Sequence, residues 1–286
     1  MELLLKPVPQ SELYWQTWLS LLQVHWFQMS SLTPGWRIPF LASAVLILVS
    51  MYIQLNLEDT KAFKELAVHR NEQENDEKTA IQKSPIVEAV RKYPKRIMLA
   101  AGAFINIQVT FYILIAFLLA YGVQSAGMAR DDMLTAVLFA SAVMVPMQFL
   151  FSSYSDRHGR RGIFMLGAVL SGLWAFAIFP LVDTGSFWLI TLAVSGGMVF
   201  LAMMYGPQAA FFTELFSTEV RYSGATLGYQ FGAIIGGAFA PTIAVKLWTE
   251  FDIFWVSVYM ALSALLTLLS VMALTETYQS DLNKAE

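Results

Sequence analysis

The chain has 286 residues, of which 57% are hydrophobic and 14% are charged. Soluble domains carry about 25% charged residues, so this composition indicates a protein dissolved in a membrane. The net charge of −3 gives no electrostatic basis for binding nucleic acid, and the absence of cysteine excludes disulfides and thiolate chemistry. The three histidines are scattered, so we expect no metal site, no cofactor and no catalytic residue.

Seven uncharged apolar stretches are long enough to cross a bilayer, which takes about 20 residues. Each is predicted to be an α-helix, because lipid offers no hydrogen-bond partner to an exposed backbone. The sequence therefore predicts an all-α integral membrane protein with about seven transmembrane helices. The stretches cover residues 38–57, 97–121, 133–154, 163–182, 187–213, 222–245 and 253–275.

The remaining segments differ in composition. Residues 1–36 include three tryptophans in an uncharged stretch and are expected to be interfacial or disordered, with an eighth span over 13–33 as the alternative. Residues 37–57 form the first span, and the six others lie within 97–275. Residues 58–96 carry many charges of both signs and are expected to be a solvated cytoplasmic linker, with one or two amphipathic helices as the alternative.

The basic residues predict how the chain sits in the membrane. Fourteen lysines and arginines fall in the connections on one side of the predicted spans and four on the other side. Basic residues are enriched in cytoplasmic loops, so the side with fourteen is expected to be cytoplasmic. The tail, residues 276–286, is then cytoplasmic as well.

A short charged loop follows the third predicted span. Its glycine permits a tight turn with positive φ, and its arginines are placed to meet lipid headgroups. The loop residues that carry this pattern are Asp156, Arg157, Gly159, Arg160 and Arg161.

This loop resembles the cytoplasmic loop between helices eight and nine of the major facilitator superfamily. Two further stretches are similar to its metabolite:proton symporter family, which includes carriers of shikimate, α-ketoglutarate, citrate, and proline with betaine. They are GWRIPF at 35–40, followed after a span by LEDTKAFKEL, and YGPQAAFFTELFSTEVRYSGATLGYQ at 205–230. The resemblance implies the C-terminal six-helix bundle of this fold plus the preceding helix six, in a bacterial inner membrane.

The resemblance also implies what the chain lacks. Helices one to five have no counterpart here. The chain therefore lacks the acidic residues of the first helix and the arginine of the fourth, which the family uses for proton coupling and substrate binding. No predicted span contains an Asp, Glu, Lys, Arg or His to carry a proton. Protons are therefore expected as a partner only if a complementary N-terminal half is present.

Polar residues within the second, fifth and sixth spans are candidates for a substrate cavity that binds a small polar metabolite. The alternative is that they form hydrogen bonds between helices, each contributing about 1 kcal/mol. Asn106 and Thr110 lie four apart on one helical face, and Gly206 and Pro207 are expected to interrupt the fifth span. The cavity candidates are Asn106, Gln108, Tyr205, Gln208, Tyr229 and Gln230.

The sixth span carries glycines at intervals of four residues, a face that lets another helix approach closely. We interpret it as a helix-packing surface formed by Gly224, Gly228, Gly232 and Gly236. Two acids, Glu214 and Glu219, flank the loop before Arg221 and are interpreted as cytoplasmic charges paired with it.

The leading hypothesis is a proton-coupled transporter of a small organic acid or zwitterion in truncated form, with an inactive remnant as the alternative. A seven-helix receptor that carries retinal needs a lysine within a span, and an intramembrane enzyme needs an acid or a histidine there. Since no predicted span has either, these two classes are disfavoured.

Overall fold

The computed structural model describes residues 38–56, 85–217 and 220–276, and every element in these ranges is helical. The chain divides into two compact units, residues 1–65 and 66–286. The first contains α1, Ile38–Asn56, within the first predicted span. With 19 residues, α1 is shorter than each of the six candidate spans of the second unit. The N-terminal segment 1–36 and the tail beyond 276 lie outside the described residues.

The described part of the second unit begins with a short helix, α2, followed by six helices long and apolar enough to cross a membrane. Each of the six coincides with a predicted span to within a few residues, which confirms the prediction of an all-α bundle. The end of the predicted linker is helical, since it contains α2 and the start of α3. The helices are α2 Pro85–Lys92, α3 Pro94–Gln124, α4 Arg130–His158, α5 Arg160–Asp183, α6 Phe187–Glu214, α7 Arg221–Glu250 and α8 Ile253–Ala273.

Helix α3 holds the bundle together. It packs along α7 on one side and along α8 on another, and it also contacts α6. Helix α6 in turn packs against α4 and α5, and α5 packs against α8. The three helices α3, α6 and α7 thus contact one another pairwise, which brings their side chains to a common region.

Two of the helices change from α to π geometry for a single turn. In α3 the turn is Ile113–Phe117, and in α7 it is Ile234–Ala238. The π turn of α7 comes just before Pro241, whose ring removes one backbone donor and clashes with a regular preceding turn. Trp248, after the π turn of α7, packs edge-on against Phe117 and Tyr121 of α3, with ring centroids 5.9 and 5.3 Å apart. These contacts tie the last turns of α7 to those of α3.

The predicted glycine face of α7 lies mostly against α3. A Cβ atom at Gly232 would come 2.6 Å from the carbonyl oxygen of Ala101, and one at Gly236 would come 2.6 Å from that of Ile105. At Gly228 the nearest atom would be the Ala100 methyl group at 2.7 Å. The two backbones are therefore too close for any side chain at these positions. Gly224 differs, because its neighbour is the ring of Phe216 at the end of the bundle.

We predict that Gly232→Ala destabilises the bundle by about 1–3 kcal/mol, because the added methyl group would overlap backbone that cannot move freely. The free energy of unfolding in mixed detergent micelles measures the effect. Gly162→Ala on α5 is the matched control, since a Cβ there meets no atom within 4 Å. Equal stability of the two variants would contradict the close approach of α3 and α7.

Candidate functional site

Three tyrosines from three helices come together within the bundle. Tyr229 of α7 is half-buried, and Tyr205 on α6 and Tyr112 on α3 both lie within electrostatic range of its side chain. Tyr229 also packs on the ring of Phe104, with centroids 4.4 Å apart. The pairwise contact of α3, α6 and α7 thus brings three phenol groups to one surface.

Gln108 extends this surface along α3. It lies one turn before Tyr112 and therefore on the same side of the helix. Its Cβ atom would be 3.2 Å from a Cβ atom at Gly236, and the Tyr112 ring would be 2.7 Å from a Cβ atom at Gly237. Both side chains hence reach α7 beside its π turn. We call the set Gln108, Tyr112, Tyr205 and Tyr229 the polar face.

The polar face is open to the outside of the bundle. Tyr112 is 39% exposed and Tyr205 is 36% exposed, although both lie well inside helices that are apolar enough to span a membrane. The predicted cavity residue Gln230 is exposed as well, next to Tyr229 in sequence. Polar groups in hydrocarbon are costly without partners, so this surface is built to face water, a ligand or another part of a protein.

Gln208 lies one turn after Tyr205 but is buried, with 6% of its surface exposed. The expected interruption of α6 at Gly206 and Pro207 is absent, because the helix continues from Phe187 to Glu214. Gly206 has a different role. A Cβ atom there would come 2.8 Å from the carbonyl oxygen of Gln148, so the glycine permits close contact with α4.

Asn106 occupies a different environment from the other candidates, since it is completely buried. Its Nδ2 donates to Ser171 Oγ at 3.3 Å, and its Oδ1 accepts from Ser263 Oγ at 3.0 Å and from Thr110 Oγ1 at 3.2 Å. Its backbone N–H donates to Thr267 Oγ1 at 3.1 Å. Asn106 therefore joins α3 to α5 and α8, which is the arrangement expected of an interhelical hydrogen-bond node.

The charged loop between α4 and α5 lies at one end of the bundle, which we call the arginine-rich end after Arg157, Arg160 and Arg161. Gly159 joins the two helices with φ of +99°, a conformation that side chains disfavour. Arg160 donates from Nε to both carboxylate oxygens of Glu214, at 2.9 and 2.8 Å, and from Nη1 to Asp156 at 2.8 Å. Arg157 is exposed.

The same end is tied to the segment that follows α8. The Glu276 carboxylate accepts hydrogen bonds from the backbone N–H groups of Arg160 and Arg161, at 3.2 and 3.1 Å. It thereby caps the N-terminus of α5, where a negative charge is favourable. The Arg161 guanidinium donates to the carbonyl oxygens of Val271 and Met272 at the end of α8.

Sequence reasoning missed two of these partners. Glu214 forms an ion pair with Arg160, more than fifty residues earlier in the sequence, at the start of α5. Glu276 lies in the predicted tail, where no local pattern marks it as a helix cap. Among the residues that the structure describes, no group of three or more His, Asp or Glu could hold a metal ion.

The comparison with known families decides the identity of the bundle. The sequence model of the Major Facilitator Superfamily matches residues 28–227. The chain belongs to this superfamily. Its fold is therefore that of an integral membrane protein, and α3 to α8 are multi-pass membrane helices. No solved structure matches the chain.

The relatives of this superfamily member are transporters. The shikimate transporter of Escherichia coli (strain K12) is 30% identical over 256 residues, 86% of this chain and 55% of that protein. The inner membrane metabolite transport protein YhjE of the same organism is 30% identical, covering 87% of this chain and 56% of its own length. The proline/betaine transporter of Escherichia coli (strain K12) is 29% identical, over 74% of this chain and 42% of its own length. The chain thus spans about half the length of these relatives.

We predict that Asn106→Leu destabilises the protein by about 1–3 kcal/mol, because the hydroxyl groups around it lose a shared buried partner. Thermal unfolding in detergent measures the loss. Gln230→Leu is the control, since Gln230 is exposed and its replacement leaves no buried group unpaired. Unchanged stability of the Asn106 variant would show that the node does not hold α3, α5 and α8 together.

A double-mutant cycle with Arg160→Gln and Glu214→Gln is expected to give a coupling energy of about 1–3 kcal/mol, since both side chains are largely shielded from solvent. The same cycle on Lys246 and Glu250 should give a value near zero, because that pair is 3.9 Å apart and exposed. Equal coupling energies in the two cycles would show that the Arg160–Glu214 pair stabilises the protein no more than an exposed ion pair does.

Proposed function

We propose that this chain supplies one wall of a transport path for a small polar metabolite, an organic acid or a zwitterion, across the bacterial inner membrane. The polar face carries the proposal. It presents hydroxyl and amide groups of α3, α6 and α7 on an uncovered surface within membrane-spanning helices of a Major Facilitator Superfamily member. The arginine-rich end, and with it the C-terminus, is cytoplasmic in this proposal.

The chemistry of the polar face suits a hydroxylated or zwitterionic ligand. Phenol hydroxyls donate and accept hydrogen bonds, and the Gln108 amide does both as well. These groups can replace part of the water that a polar metabolite loses on entering the membrane. We include Tyr229 and Gln230 among the ligand-facing candidates, leave out the buried Gln208, and assign Asn106 to the hydrogen-bond node that holds the helices.

A complementary bundle completes the proposed carrier. Alternating access in secondary transporters arises from two bundles that rock about a central site, and α3 to α8 supply one of them. Proton coupling is assigned to that second bundle, because the predicted spans of this chain contain no Asp, Glu, Lys, Arg or His. We propose transport without chemical conversion of the substrate, as in the transporters that this chain resembles.

Uptake of radiolabelled shikimate, α-ketoglutarate and betaine into membrane vesicles that contain the chain together with a complementary N-terminal bundle tests the proposal. Uptake of at least one compound is expected, and Tyr229→Phe should weaken its apparent affinity about fivefold, the effect of losing one hydrogen bond. Tyr222→Phe is the matched control, since Tyr222 is also on α7 but lies at its start and is 85% exposed.

A binding measurement distinguishes a chain that binds the compound without transporting it from a chain in which the proposed site is wrong. The purified chain should be stabilised against heat by the transported compound, and Tyr229→Phe should reduce that stabilisation. A properly inserted chain that neither takes up nor binds any of the three compounds would contradict the proposed substrate class.

A further inference from the structure

The short helix α2 carries an apolar strip that no other described residue covers. Ala89 and Tyr93 pack into the bundle, with 0% and 7% of their surfaces exposed. Ile86, Val87 and Val90 lie on the adjoining side and are 53%, 61% and 46% exposed. Their spacing places them on one side of the helix, so α2 has an apolar surface facing outward as well as one facing the bundle.

The other side of α2 is basic. Arg91 and Lys92 end the helix, and Lys95 follows one turn later in α3; all three side chains are exposed. A single acid, Glu88, lies among them. An apolar strip bordered by basic residues on a helix of low overall hydrophobicity is the pattern of helices that lie in the membrane interface.

The position of α2 in the chain agrees with this pattern. The backbone at Tyr93 leaves the helical region, with φ of −128° and ψ of 43°, and Pro94 then begins the spanning helix α3. A residue before proline is disfavoured in helical geometry, so α2 and α3 are separate helices. Helix α2 therefore lies where the chain enters the membrane, at the arginine-rich end.

We propose that α2 is a surface anchor for anionic lipid. Ile86, Val87 and Val90 insert at the boundary between headgroups and acyl chains, and Arg91, Lys92 and Lys95 bind the phosphate groups of anionic headgroups. An excess of basic over acidic residues matches a negatively charged leaflet. This assignment does not depend on whether the chain transports a metabolite.

The anchor is connected to the end of α6. The ring of Tyr93 packs edge-on against Phe216 with centroids 5.9 Å apart, and Arg96 Nη1 donates to the carbonyl oxygen of Leu215 at 2.8 Å. Glu214, the partner of Arg160, is the next residue back along α6. Lipid bound at α2 thus acts on the part of the molecule that holds the arginine-rich end together.

Single cysteines test the proposal directly, because the chain has no cysteine of its own. Val87→Cys places a fluorescent label on the apolar strip, and Glu88→Cys places the same label on the other side of α2. Each labelled chain is reconstituted in nanodiscs of phosphatidylcholine, with or without phosphatidylglycerol. Brominated lipid then reports contact with acyl chains, and iodide reports contact with water.

We expect brominated lipid to quench the Val87 label several-fold more than the Glu88 label, and iodide to show the reverse order. Phosphatidylglycerol should strengthen the lipid contact, and a variant with R91Q, K92Q and K95Q should lose that gain. Equal access of iodide to both labels would overturn the proposal by placing α2 in water. A Val87 label shielded from both quenchers would overturn it by showing that protein covers the strip. Lipid contact of equal strength with and without phosphatidylglycerol would overturn the role of the three basic residues.

Both positions are exposed or half-buried, so the substitutions are not expected to disturb folding, and thermal unfolding of each labelled chain verifies this. Val90→Cys serves as a second variant of the apolar strip if Val87→Cys proves unstable.

Discussion

The contact between α3 and α7 is the interaction on which the rest of the bundle depends. Glycines at 228, 232 and 236 have no side chains, so the backbone of α7 meets carbonyl oxygens and small side chains of α3. Close approach of this kind gains dispersion contacts, the main attraction available between helices in lipid. It also sets Gln108 and Tyr112 beside Gly236 and Gly237 of α7. The polar face exists only because these two helices are so near each other.

Helix α3 holds polar residues with two separate tasks. Asn106 and Gln108 are two positions apart and thus point about 200° from each other around the helix. Asn106 faces α5 and α8 and is hydrogen-bonded in the interior of the bundle. Gln108 faces α7 and is part of the polar face. A short piece of sequence thereby contributes both to the cohesion of the bundle and to the surface proposed to meet a ligand.

The arginine-rich end is held by charges from distant parts of the chain. Arg160 binds Glu214 at the end of α6, Arg161 binds carbonyl groups at the end of α8, and Glu276 caps α5. Linked charged groups polarise one another, so the network is stronger than its separate pairs. Arg96 and Tyr93 join the start of α3 and the anchor helix α2 to the same region. Five helices, α2, α3, α5, α6 and α8, are therefore connected at this end.

The sequence by itself determined the spanning helices and the superfamily resemblance, because the length and polarity of a membrane helix are local properties set by the bilayer. The charged loop was also recognisable from the sequence, since it is a short local pattern. Only the tertiary structure decided which side each polar residue faces and which acid each arginine binds. Asn106 and Gln108 look alike in sequence, and Glu214 lies far nearer to Arg221 in the chain than to Arg160. These partners depend on how the helices pack, because packing brings together residues that are distant in sequence. No local sequence pattern predicts such contacts.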